Sequence, residues 1–290
     1  MTRMRETILL CTLSLLTLGC VDEAPALRAI PRDAGPTQGA PRSDASASED
    51  LITDHDFISE DDHDAGSAES EPVPPADVAV AITSDNAFSF GYGSEGALAT
   101  FVRGVASEAG EIFDCPVGHG PQTFLVPGEQ APEDAFLYIV SWADRFYTQG
   151  ALAQFKRTNS DSIIYSGDAA WEVCATGVEY DIGATTGPDQ ATVDRYLHEC
   201  NLGAEGATFS RGWVNTAGTV TPGARGKLAL GEANDDPEGE FPLVCQEDDA
   251  GVSGIDAEAR WMWFDPEDGS SPFRGNRENR TQTFLIFRLP

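Results

Sequence analysis

The sequence predicts an all-β sandwich, and three observations carry that reading. Aromatic residues alternate with small ones at Phe88, Phe90 and Tyr92, the period-two pattern of a strand buried on one face. Phe136 to Trp142 is a continuous apolar run rich in aromatic and β-branched residues, as a strand covered on both faces requires. The chain holds 29 glycines and 18 prolines, and those between such runs supply the turns that many short strands need.

Taken in order, the strands begin at Val78 to Thr83, where apolar positions alternate. Phe88 to Tyr92 and Phe136 to Trp142 follow, then Ala151 to Phe155, Ser162 to Tyr165 and Ala170 to Cys174. One short helix is predicted over Asp189 to Glu199, within a long insertion. Pro188 and Asp189 suit its first turn and cap, and Val193, Leu197 and Cys200 recur at spacings of four and three. Arg260 to Phe264 places Trp261 and Trp263 on one side of a strand, and Thr283 to Arg288 forms the last. That terminal strand is expected to pair in the same sheet as the first.

The folded part therefore spans residues 79–290, and what precedes it is of another kind. Arg3 and Arg5 lead into an apolar run from Ile8 to Leu18, too short to span a bilayer, so residues 1–19 read as an export signal. Thr17-Leu18-Gly19-Cys20 resembles the lipobox of bacterial lipoproteins, with Thr17 where Leu is usual and Leu18 where a small residue is usual. The resemblance implies cleavage before Cys20 and lipidation of that cysteine, which would tie the chain to membrane lipid through its N-terminus. Val21 after the cysteine argues against inner-membrane retention and for the outer membrane, on its periplasmic or surface face. An ordinary secretory signal cleaved nearby is the rival reading, and it also gives an exported protein.

Residues 20–78 hold 15 acidic and 3 basic residues, with Phe57 their one aromatic. Such a stretch cannot bury enough apolar area to offset its conformational entropy, and its charges keep it extended. It reads as a disordered acidic linker and resembles the Asp-Ala-Gly-rich tethers of myxobacterial-type envelope lipoproteins.

Within the folded part, Ser84-Asp85-Asn86-Ala87-Phe88 followed by Gly91 and Gly93 resembles the opening of galactose-binding-like jelly rolls. The segments 135–144, 150–155, 163–171, 259–263 and 283–288 resemble later strands of that family, in the same order. The resemblance implies a jelly-roll-like β-sandwich. Residues 176–257 depart from the family pattern, with Gly- and acid-rich loops, the helix and two cysteines, so the fold alone carries no function over.

The chain sets 48 acidic against 18 basic residues, a net charge of −30, which excludes nucleic acid as a partner. Cys115, Cys174, Cys200 and Cys245 are an even set in an exported chain and read as two disulfides. Cys174 and Cys200 bracket the predicted helix and are the favoured pair, leaving Cys115 with Cys245. No GxSxG, HExxH or phosphate-binding glycine loop occurs, so the expectation is a non-enzyme. A hydrolase using loop carboxylates is the catalytic alternative. The acid-rich loop with Asn234, Asp236 and Glu238 offers hard oxygens for a structural Ca²⁺, with solvated surface charge as the plainer account. Sugar recognition needs an aromatic face beside amide and charged groups. Trp213 between glycine turns, with Arg211 and Asn215, fits that need, as does Tyr147. Packing of Trp213 into the core is the competing reading. Arg274 to Arg280 gathers three arginines on an acidic protein and reads as a salt-bridged loop or as contact for an acidic partner. Together these features point to recognition of carbohydrate at the cell envelope. The alternative is a structural or adhesive protein that binds an envelope protein.

Overall fold

A computed structural model describes residues 74–104, 121–143, 149–180, 187–235, 244, 254–267 and 283–290. Among them are thirteen strands: β1 (Val78–Asp85), β2 (Ala87–Ser94), β3 (Ala97–Arg103), β4 (Gln122–Val126), β5 (Phe136–Trp142), β6 (Gly150–Arg157), β7 (Ile163–Tyr165), β8 (Glu172–Ala175), β9 (Val214–Asn215), β10 (Gly218–Thr219), β11 (Lys227–Ala233), β12 (Arg260–Asp265) and β13 (Leu285–Leu289). One α-helix, α1, spans Gln190–Asn201.

The strands form two antiparallel sheets packed face to face, an all-β sandwich as the patterning predicts. One sheet runs β11-β12-β6-β1-β4, with β7 also on β6; the other runs β10-β9-β8-β13-β5-β2-β3. The first and last strands thus lie in different sheets, contrary to the sequence expectation. The reason is at Asp85–Asn86. Asp85 still pairs with Gly150 of β6, whereas the Asn86 amide already donates to Trp142 O at 3.1 Å, so the chain changes sheets within one residue.

Alternation then sorts the side chains. Val80, Ile82, Phe88, Phe90, Leu137, Ile139, Phe155, Met262, Phe264, Leu285 and Phe287 point between the sheets and form the central core. Edge-to-face contacts link Phe124 to Phe88 (6.3 Å) and to Phe90 (5.2 Å), each adding roughly 0.5–1.5 kcal/mol beyond area burial. β5 lies between β13 and β2 and is covered on both faces, because Tyr138, Val140 and Trp142 point outward into a second apolar cluster.

Helix α1 covers that outer face with Val193, Leu197 and Cys200. Its start is set by Asp189, whose carboxylate accepts from Thr192 N at 2.8 Å; the Thr192 hydroxyl first, and then this N–H, hold the Asp189 pKa below its ordinary value. Gln190 donates to Leu98 O and Asp194 accepts from Leu98 N, both at 2.8 Å, so the helix also satisfies backbone of the edge strand β3. Cys174 and Cys200 form the disulfide the sequence favours, stapling the helix to β8. Cys115 and Cys245 lie outside the described residues, as do residues 1–73, which include Cys20. Ala76 and Asp77, counted with the linker on composition, are tied to the domain: Asp77 accepts from Gly128 N and Arg157 donates to Ala76 O.

The outer face of the other sheet is covered as well. Val244, Ile255 and Ala259 pack with Ala81, Leu152, Trp261 and Trp263. Gln154 fixes this strap by donating to Gly254 O and accepting from Asp256 N.

Candidate functional site

Strand register locates the connections. Asp85 pairs with Gly150, Ala87 with Trp142, Leu285 with Ser141 and Ala175, and Lys227 with Asp265. β3 ends and β4 begins near the same level, opposite Ser89 and Ile82. The connections 85–87, 103–122, 142–150 and 265–285 therefore all leave and re-enter the sandwich at one end, where β8 also ends. Loops carried by a rigid scaffold are where binding groups concentrate, and both sheet faces are already covered by apolar packing.

The rim of this end is polar and buried. The hydroxyls of Ser84 and Ser141 lie 2.7 Å apart, and Ser84 donates to Gly150 O at 2.8 Å. Gln149 donates to Thr283 O at 2.7 Å, joining the starts of β6 and β13. The hydroxyls of Thr176 and Thr283 are 2.9 Å apart, and Gly177 N donates to Thr283 at 2.7 Å. The large majority of buried hydroxyls and amides are paired, and these are. Asp85 (6 % exposed) and Asn86 (2 % exposed) complete the rim between the two sheets. The sequence pattern contained Asp85 and Asn86 as a strand opening but gave no reason to single out Ser141, Gln149, Thr176 or Thr283. Polar residues at the ends of apolar runs are their only signature.

Of the proposed sugar-binding residues, Trp213 is 1 % exposed and so presents no open ring. Its indole N–H donates to Asn201 Oδ1 at 2.7 Å, and the Arg288 guanidinium lies 4.0 Å from its ring centroid. Arg288 also donates to Glu172 at 2.7 Å and to Asn201 at 3.0 Å, so Trp213 belongs to a closed cluster linking β13, β8 and the end of α1. The core reading of Trp213 is the one that holds, because Asn201 supplies the acceptor a buried indole requires. Arg211 is exposed, with φ 58°, and Asn215 is half-buried with its side-chain oxygen accepting from Ala217 N at 2.9 Å. Tyr147 lies outside the described residues.

Asn234, expected to offer an oxygen to Ca²⁺, is 4 % exposed and holds the strap instead. It donates to Val244 O (2.9 Å) and Ile255 O (3.0 Å) and accepts from Val244 N (2.8 Å). Asp236 and Glu238 lie outside the described residues, as does Arg274 to Arg280. Among the described residues no group of three or more His, Cys, Asp or Glu is placed to hold a metal ion, and no helix is long and apolar enough to cross a membrane. Burial, with the carboxylates of Asp256 and Glu258, raises the Tyr165 phenol pKa on the strap side.

Compared with known proteins, the chain matches no family model, no curated protein and no solved structure.

Proposed function

We propose that the protein is an exported, non-catalytic binding protein, anchored to the outer membrane by lipid on Cys20, that recognises carbohydrate at the cell envelope through the loop end of its sandwich. One observation carries this reading: four connections leave and re-enter at one end of the sandwich, where buried, mutually hydrogen-bonded hydroxyl and amide groups hold the strand ends in place. Sugar recognition uses hydrogen-bonding groups fixed in this way on a rigid scaffold, with aromatic rings for the C–H faces. Tyr147 belongs to the connection between Ala143 and Gln149, both at this end, and supplies the ring that Trp213 does not.

The test is a glycan array probed with the exported chain, with Ca²⁺ and again with EDTA. Binding that Tyr147→Ala removes without lowering the melting temperature supports the reading. Loss of binding in EDTA adds the structural calcium proposed for the acidic loops. Silence under both conditions, from a folded sample, sinks it in favour of a protein partner. That second reading is favoured by β4, an edge of its sheet whose Leu125 is 37 % exposed, where a partner strand can add.

A further inference from the structure

Residues 206–231 contain no Asp or Glu, in a chain that has 48, and they carry Arg211, Arg225 and Lys227. In the fold they form the β9–β10 hairpin, its flanking turns and the start of β11. Arg225 N donates to Ser210 O at 2.8 Å, which sets Arg225 beside the backbone of Arg211. Ser210 N in turn donates to Ala175 O, so the pair stands at the loop end of the sandwich.

The three cations differ in their surroundings. Lys227 is neutralised by Asp265 (3.9 Å) and Glu267 (3.4 Å). Arg211 and Arg225 are exposed, and neither meets a carboxylate within ion-pair distance among the described residues. Arg225 is nevertheless held in place: its Nε donates to Phe209 O at 3.1 Å and its guanidinium lies 5.1 Å from the Phe209 ring centroid. Arg225 is exposed, so its terminal N–H groups remain available to an acceptor from outside. Arg211 has φ 58° beside Gly212 at 119°, so an arginine occupies backbone where glycine would be unstrained. Such departures concentrate where a side chain is needed for binding.

Two arginines on neighbouring backbone, neither with a carboxylate partner among the described residues, suit a carboxylate presented from outside a strongly acidic protein. The surroundings select its carrier. Thr221 lies beside both Gly203 and Gly212, which brings the exposed Leu202 and Val220 to the margin of the pair. Apolar surface of this kind suits a pyranose ring. An acidic peptide strand would need a longer edge than β10, which has two residues.

We infer that Arg211 and Arg225 bind the carboxylate of a uronic-acid glycan, an inference that rests on the carbohydrate reading above and names its substrate class. The test is calorimetric titration of the full exported chain with oligogalacturonate, with a neutral galactose oligomer of equal length, and with poly-glutamate. The uronate should bind at least about tenfold more tightly than the neutral oligomer. Arg211→Gly, which relaxes the left-handed backbone, and Arg225→Gln should each weaken uronate binding several-fold and together abolish it, with no fall in melting temperature. Unchanged uronate binding in the double variant overturns the inference, and so does poly-glutamate binding as tight as the uronate. Binding of the neutral oligomer alone would sink this inference and leave the carbohydrate reading standing. Binding of no glycan here or on the array would sink both.

Discussion

Single side chains report how this interior balances its polar groups. Ser89 is fully buried on β2, and its hydroxyl has no hydrogen-bond partner among the described residues. A buried hydroxyl without a partner lowers stability, so Ser89→Ala should raise it by about 1 kcal/mol in urea unfolding. Asn234 is the opposite case, serving three backbone groups of Val244 and Ile255 with one carboxamide. Asn234→Ala strands those groups and should destabilise by about 2–4 kcal/mol, with a red shift in tryptophan emission as Trp261 and Trp263 meet water. Two phenols give the pH dependence. Burial holds the pKa values of Tyr92 and Tyr138 well above their ordinary 10.0, against smaller opposing pulls from Arg157 and Arg288 respectively. The unfolded chain releases these protons near pH 10 while the native chain keeps them. Their contribution is therefore intact below pH 10 and is lost as pH rises beyond it. The tyrosinate absorbance of these two phenols should appear together with loss of native circular dichroism, and Tyr92→Phe with Tyr138→Phe should remove that portion of it.

At the scale of elements, helix α1 is fastened by side chains more than by its own sequence. The bridge Cys174–Cys200 closes a loop with a sequence separation of 26, which in the chain-entropy account is worth about 3–4 kcal/mol. Replacing both cysteines by alanine should lower stability by that order, and hydrogen exchange should then quicken first in the helix and at Leu98, whose amide Asp194 holds. Elements with strong internal pattern were legible: Phe136–Trp142 and the helix begin and end within two residues of where periodicity puts them. β3, β4 and β11 were not, because Ala97–Arg103 and Lys227–Ala233 mix apolar with small or charged residues, and β4 has only five residues. β9 and β10 hold two residues each and exist only through tertiary pairing. The candidate site was legible in part. The Asp85–Asn86 junction stood in the sequence, while Trp213 stayed open between binding ring and core, since glycine turns around an indole do not reveal the Asn201 that buries it. Arg225, on which the uronate proposal rests, stands in an acid-free stretch that was readable.

The whole molecule carries −30, of which −19 falls in residues 79–290, so folding concentrates like charge. Screening should relieve this, and the thermal midpoint should rise between about 20 and about 300 mM NaCl. A chain stabilised mainly by surface ion pairs would show the reverse. The closing strand has a further consequence. β13 lies between β8 and β5 with antiparallel partners on both sides. Without it, β2, β3 and β5 cannot join β8 and β9, and Phe287 and Arg288 are missing from the middle of the sheet. One strand of five residues therefore joins two halves of a sheet, and deleting residues 285–290 should leave two half-sheets with no native state to recover.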